Sequence, residues 1–114
     1  MFVVNVSDLP AGENTRSRSL EGAEAGGVDL SIIFVDLDAG RGPRLHRHAY
    51  AEVFVIQTGR ARYTAGDEQR DVGPGDVIVV PAGVAHSFKS TGEEPLRQLS
   101  LHLAPEMLTE WLEP

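Results

Sequence analysis

The sequence predicts an all-β fold, a sandwich or closed barrel. Apolar and β-branched residues come in short runs, among them residues 28–38, 52–57, 77–80 and 96–103. Turn-forming pairs or clusters separate these runs: Thr58-Gly59, Gly66-Asp67, Gly73-Pro74-Gly75-Asp76 and Ala82-Gly83. Helical periodicity is confined to the tail. About eight or nine short strands divided by such signals are the pattern of a β sandwich or barrel.

Residues 2–6 (FVVNV) are β-branched and read as a first strand. Residues 7–27 hold glycine, proline, serine, threonine and scattered charge, and read as a long loop with a short strand near residues 18–20. Residues 28–38 (VDLSIIFVDLD) form the longest β-like run. Residues 32–35 are apolar on both parities, which suits a strand covered on one face by the core and on the other by a partner sheet or subunit. Strands are expected at 52–57, 60–65, 69–72, 77–80, 85–90 and 96–103. In the last of these, Leu99, Leu101 and Leu103 share one face and Gln98, Ser100 and His102 the other. The tail reads as a short C-terminal helix: Pro105 suits a first turn, Glu106 the positive dipole end, and Met107, Leu108, Trp111 and Leu112 fall on one stripe.

Composition narrows the function classes. A chain of 114 residues is one domain of ordinary size. The net charge of −7 repels phosphate backbones, so no nucleic acid partner is expected. Without cysteine there is no disulfide, thiolate metal site or thiol nucleophile, which fits a reducing cytoplasm. The first residues lack a basic region and resemble no signal peptide, and no run approaches the ~18 apolar residues of a membrane span.

Chemistry concentrates in residues 40–59, GRGPRLHRHAYAEVFVIQTG. On a strand, positions i and i+2 share a face, which puts the Cα atoms of His46 and His48 roughly 6–7 Å apart. Glu52 keeps the same parity and adds a carboxylate. His86, after the corner made by Pro81 and Gly83, supplies a fourth donor. Three imidazoles and a carboxylate suit one divalent transition metal ion (Fe, Mn, Ni, Zn or Cu), with room for water or substrate. The plainer alternative is a set of polar barrel residues without metal, but a buried Glu is costly without compensation.

These two stretches resemble the paired motifs of the cupin superfamily. Gly40, His46, His48, Glu52 and Gly59 match the spacing of the first motif (40–59), and Gly75, Pro81, Gly83 and His86 that of the second (75–90). Ser90 stands where the family pattern has Asn. Fifteen residues separate the motifs, as in small microbial single-domain members. The resemblance implies a single cupin domain over residues 1–114, an antiparallel jelly-roll barrel (the double-stranded β-helix) with a metal inside, and often a homodimer.

Other residues carry weaker signals. His102 and Gln98 line the pocket if their strand face looks inward. Tyr63 and Phe88 are further pocket candidates. Tyr63 is the better of the two, because its hydroxyl needs a partner. Arg44, Arg47, Arg60 and Arg62 are expected in solvent, and Trp111 as a packing anchor. The functional expectation is a metal-dependent enzyme, dioxygenase- or isomerase-like, acting on a small oxygen-rich molecule, with Glu52 as the catalytic base. The alternative is a non-catalytic module that binds or senses a small molecule or metal.

Overall fold

The computed structural model describes residues 1–12 and 15–114, so Glu13 and Asn14 of the expected loop lie outside the described residues. Among the described residues, ten strands form two antiparallel five-stranded sheets: β1 (Arg18–Leu20), β2 (Ser31–Leu37), β3 (His46–Arg47), β4 (Glu52–Thr58), β5 (Ala61–Ala65), β6 (Glu68–Val72), β7 (Val77–Val80), β8 (His86–Ser90), β9 (Leu96–His102) and β10 (Glu110–Trp111). One sheet has the order β1-β2-β9-β4-β7 and the other β10-β3-β8-β5-β6. The non-consecutive neighbours are those of a jelly roll.

The core lies between the sheets. β4 alternates buried Glu52, Phe54 and Ile56 with half-buried Val53 and Val55, and β9 buries Leu96, Gln98, Ser100 and His102. Val35, Phe54, Ile56, Ala61, Tyr63, Val72, Val80, Phe88 and Leu96 make one apolar cluster. Within it the rings of Tyr63 and Phe88 stack with centroids 5.0 Å apart, and Phe54 meets Tyr63 edge-on at 5.1 Å. Gly42 fits because it has no side chain: a Cβ there would lie 1.8 Å from the Phe88 carbonyl oxygen. This close approach presses the first motif against β8.

Two sequence expectations fail. The tail is not a helix. Residues 105–109 run without regular structure, and Glu110–Trp111 pairs with His46–Arg47 as an edge strand. The apolar stripe finds no surface to bury it, since Leu108 and Trp111 stay more than half exposed. Instead the segment's backbone bonds to the barrel: Ala23 N–H to the Pro105 carbonyl at 2.9 Å, and Leu112 N–H to the Leu45 carbonyl at 3.0 Å. A short helix is marginal alone, and these tertiary bonds replace its internal ones. The expected strand at residues 2–6 is also absent. That segment joins no sheet, its residues are exposed, and Val6–Asp8 turns as a 3-10 helix under an Asn5 cap. The loop at 7–27 does contain a strand at Arg18–Leu20, paired with β2, and a 3-10 turn at Gly22–Glu24.

Phe54 is 1% exposed and holds the aromatic cluster beneath His86. Phe54→Ala is expected to cost about 3–5 kcal/mol of unfolding free energy, read from urea denaturation curves.

Candidate metal centre

The two sheets each bring a pair of residues to the same end of the barrel. Glu52, the first residue of β4, sits opposite His102, the last residue of β9, in one sheet. His46 on β3 sits opposite His86 on β8 in the other. His48 follows β3 by one residue. Backbone bonds join the two motifs: Gly83 N–H donates to the His48 carbonyl at 2.8 Å, Gly40 N–H to the Ser90 carbonyl at 2.7 Å, and Ser90 N–H to the Arg41 carbonyl at 2.9 Å. Gly83 makes its bond at a φ of 80°, a left-handed conformation that glycine adopts without strain.

His46, His48, Glu52 and His86 are all buried, and one donor atom from each lies within 4.8 Å of the others. Backbone carbonyls decide how the imidazoles present themselves. Nδ1 of His46 lies 2.7 Å from the Arg44 carbonyl, that of His48 2.8 Å from Leu108, and that of His86 2.9 Å from Val84. A carbonyl oxygen only accepts, so each Nδ1 carries the proton and donates. Each Nε2 is left as the lone-pair atom facing the carboxylate, which is how histidine is held when it ligates a metal.

The electrostatics fit a cation at the same point. Nε2 of His48 and of His86 lie 3.0 and 3.2 Å from Glu52 Oε1, and Nε2 of His102 lies 3.1 Å from Oε2. Burial alone would raise the Glu52 pKa. Its contacts with His102, His48 and His86 outweigh that and hold it well below the usual carboxylate range. Burial lowers His48, but the Glu52 carboxylate and the Leu108 carbonyl outweigh it, so its pKa is raised. Burial brings His46 down to about 4 despite its bond to the Arg44 carbonyl. A divalent cation among the same atoms would offset the buried charge of Glu52 directly, and it would take the Nε2 lone pairs that face the carboxylate. His48 Nε2 is also one of three buried side-chain atoms, among the described residues, without an aligned hydrogen-bond partner. The donor set fits a metal.

A cupin-domain family model matches residues 33–102, which include all four of these residues. The chain belongs to the cupin family. It is 41% identical over 78 residues to an uncharacterized protein of Streptomyces coelicolor, covering 68% of this chain and 73% of that one. It is 30% identical over 111 residues to an uncharacterized protein of Bacillus subtilis, covering 91% of this chain and 58% of the other. Among solved structures it resembles oxalate decarboxylase from Bacillus subtilis, with a TM-score of 0.85 and 27% identity over 96% of this chain. It also resembles the formate complex of oxalate decarboxylase from Lactobacillus farciminis, with a TM-score of 0.83 and 26% identity over 96% of this chain. The cupin chain spans 31% and 37% of the length of those two decarboxylases. The Bacillus subtilis decarboxylase has been studied for its Mn(II) centers.

In this cupin the centre opens on a cavity of about 610 Å³. Its walls are mostly apolar, with Ile33, Val35, Leu37 and Phe88 from the barrel and Trp111 from β10. Of the pocket candidates that strand parity suggested, Phe88 and His102 line this cavity. Tyr63 and Gln98 lie deeper, where the Tyr63 hydroxyl donates to Gln98 Oε1 at 2.7 Å in the buried core. Arg47 and Arg62 lie at the surface and pair with Glu110 and Asp71. Arg44 is exposed, as expected, and stands at the cavity rim with its guanidinium 4.8 Å from the Trp111 ring centroid. Trp111 in turn packs on His46 with centroids 5.1 Å apart.

Sequence reasoning missed Tyr50. Its ring stacks on His48 at 4.9 Å, and its hydroxyl lies 2.8 Å from His102 Nδ1. Burial pushes the phenol up to about 12. The signal was available, because Tyr50 keeps the parity of His46, His48 and Glu52. No signal in the sequence marks the Leu108 carbonyl, a backbone atom in a segment read as helix. Among the described residues, no helix is long and apolar enough to cross a membrane.

The histidine shifts imply a pH dependence for the metal-free protein. His46 titrates near 4 when folded against 6.5 as its ordinary value, so between those values the unfolded chain binds more protons. Stability from this group therefore falls as pH drops from 6.5 to 4. Glu52, held below its ordinary 4.5, adds a loss of the same sign at the acid end. His48 has the opposite sign, and its contribution disappears as pH rises above 6.5. Urea midpoints of the metal-free protein should decline from pH 6.5 to 4. His46→Gln should flatten that decline.

Proposed function

We propose that this cupin is a mononuclear metal-dependent enzyme acting on a small oxygen-rich organic molecule. One observation carries the reading: of the four clustered donor residues, His46, His48 and Glu52 form one wall of a cavity whose other walls are largely apolar, and His86 backs them from the buried side. The ion would be held by Nε2 of His46, His48 and His86 and by the Glu52 carboxylate. It would supply Lewis-acid polarisation of a substrate oxygen. The family's Mn(II)-containing relatives make Mn(II) the first ion to test. Iron, nickel, zinc and copper suit the same donors.

The chain's own residues would do the rest. Ile33, Val35, Leu37 and Phe88 shape the apolar wall and exclude water from it. Arg44, beside Trp111 at the rim, favours a substrate bearing an oxyanion. Glu52 is ionised and lines the cavity, which makes it the carboxylate placed to meet the proton of a bound enol or hydroxy acid; its lowered pKa makes it a weak base, so that proton would have to be acidified by polarisation at the ion. Dioxygenase-like and isomerase-like reactions both begin from such an activated oxygen-rich substrate.

Titration of the metal-free protein with Mn(II) should give one ion per chain. With Mn(II) at about 100 times its Kd, the stability gain is expected to be about 2.7 kcal/mol. His48→Ala should weaken binding at least about 100-fold, since even partners of ligands cost 10–100-fold. The loaded protein is then screened for oxygen uptake and product formation on enols, diketones, hydroxy acids and oxalate. Turnover lost in His48→Ala supports the enzyme. Stoichiometric binding with no turnover across the panel leaves a binding module. Failure of Mn(II) and the four other ions to bind sinks the metal reading.

The assembly proposed with this function is a homodimer. The outward face of the first sheet carries Ile32 and Phe34 (β2), Leu99 and Leu101 (β9), Val53 and Val55 (β4), and Val77 and Val79 (β7). They lie in register: Ile32, Leu101, Val53 and Val79 form one row, and Phe34, Leu99, Val55 and Val77 the next. Val77 and Val79 are 59% and 62% exposed. Eight adjoining apolar side chains form the kind of patch that marks an interface. These eight side chains carry no charge, and Arg18, which continues the second row beside Phe34, turns its guanidinium to the Ser7 and Leu9 carbonyls, so a second copy can meet the patch without like-charge repulsion despite a net charge of −7. Light scattering should give twice the 12.3 kDa chain mass, and Leu101→Glu should give the monomer.

A further inference from the structure

Four histidines surround Glu52, and the structure sorts them by what faces Nδ1. Three face carbonyl oxygens and therefore carry the proton on Nδ1. The fourth, His102, faces the Tyr50 hydroxyl at 2.8 Å. That hydroxyl already accepts the Leu108 N–H at 3.2 Å. Its single proton needs an acceptor, and His102 Nδ1 is the one found among the described residues. Tyr50 therefore donates, Nδ1 of His102 accepts, and the His102 proton sits on Nε2.

An Nε2 that carries a proton cannot ligate a metal, so His102 is excluded as a fifth ligand. It is 3% exposed, and its Nε2 lies 3.1 Å from Glu52 Oε2, obliquely, with no aligned partner elsewhere. The other carboxylate oxygen, Oε1, is the one close to Nε2 of His48 and His86. The two oxygens of Glu52 thus face two different kinds of histidine. We propose that His102 is a positioning residue: held as the Nε2–H tautomer by Tyr50, it presents that proton to Glu52 Oε2 and leaves Oε1 for the metal. The role goes beyond the four-donor set, and its metal-binding consequence rests on the proposed centre.

Two measurements test it. Long-range proton–nitrogen correlation spectra of the ¹⁵N-labelled, metal-free protein read the tautomers directly. The expected result is Nε2–H for His102 and Nδ1–H for His46; Nδ1–H on His102 overturns the proposal, whether or not the protein binds metal. Mn(II) affinity is then compared across His102 variants. His102→Leu should weaken Mn(II) binding 10–100-fold, and His102→Gln, whose amide N–H can reach Oε2, should stay within about fivefold of the parent. Wild-type affinity in His102→Leu, or an equal loss in both variants, overturns it. If the parent chain binds no Mn(II), the metal reading fails while the tautomer result still decides the role of His102.

Discussion

The carboxylate of Glu52 is the constraint on which the rest of the barrel depends. It is 3% exposed and ionised. A buried, uncompensated charge costs several kcal/mol, so the fold must deliver positive charge or strong donors to it from every side. Four imidazoles surround it, from both sheets, and contacts with His102, His48 and His86 outweigh the cost of burial. β4 and β9 bring Glu52 and His102 together by strand pairing, and β3 and β8 bring His46 and His86. Neither sheet alone makes the cluster. Sheet packing and the charge of Glu52 are therefore one problem with one solution.

The C-terminal segment takes part in that solution through its backbone. The Leu108 peptide serves two histidines at once. Its carbonyl accepts from His48 Nδ1, and its N–H donates to Tyr50, which contacts His102. Three further ties hold the segment in place: the Met107 N–H on Glu21 at 2.8 Å, the Arg47–Glu110 pair, and the Leu45 N–H on Glu113 at 2.8 Å. The strand thus closes one side of the cavity with Trp111 and aligns donor atoms with a peptide group. Loosening of this edge strand would be felt at His48 before it was felt in the core.

That division explains what was legible in the sequence. Side chains that converge by parity and motif spacing could be read directly, and His46, His48, Glu52 and His86 do form a buried cluster. The β architecture was legible because alternation and turns are local signals. The tail was not legible, since the stripe of Met107, Leu108, Trp111 and Leu112 suits a helix as well as an irregular strap. Distant backbone partners such as Leu45 and Ala23 decided between them. Residues 2–6 misled in the same way: β-branched residues favour a strand only where a sheet edge receives them. Tyr63 and Gln98 share the inward face with the site but satisfy each other in the core, a pairing that parity cannot reveal. Tyr50 was open to the parity argument, yet its role depends on His102, which is 52 residues away.

The same parity sets the two faces of the first sheet against ordinary soluble-protein patterning. Along β2, β4 and β9, the inward positions at the site end are Ser31, Glu52, Ser100 and His102, all buried and polar. The outward positions of those strands are Ile32, Phe34, Val53, Val55, Leu99 and Leu101. An inverted sheet of this kind needs its buried polar face answered, and it leaves an apolar face outward. Hydrogen bonds and charge answer the inner one: Ser31 Oγ donates to the Ala104 carbonyl at 2.8 Å, and the imidazoles meet Glu52. The second sheet has no such need, because its outward positions include Arg47, Arg62 and Lys89, which water solvates. A polar inner surface at the candidate site thus leaves an apolar outer surface on the same strands. The apolar face on which the homodimer is proposed and the buried charge within the barrel have one origin, the two-residue period of the strand.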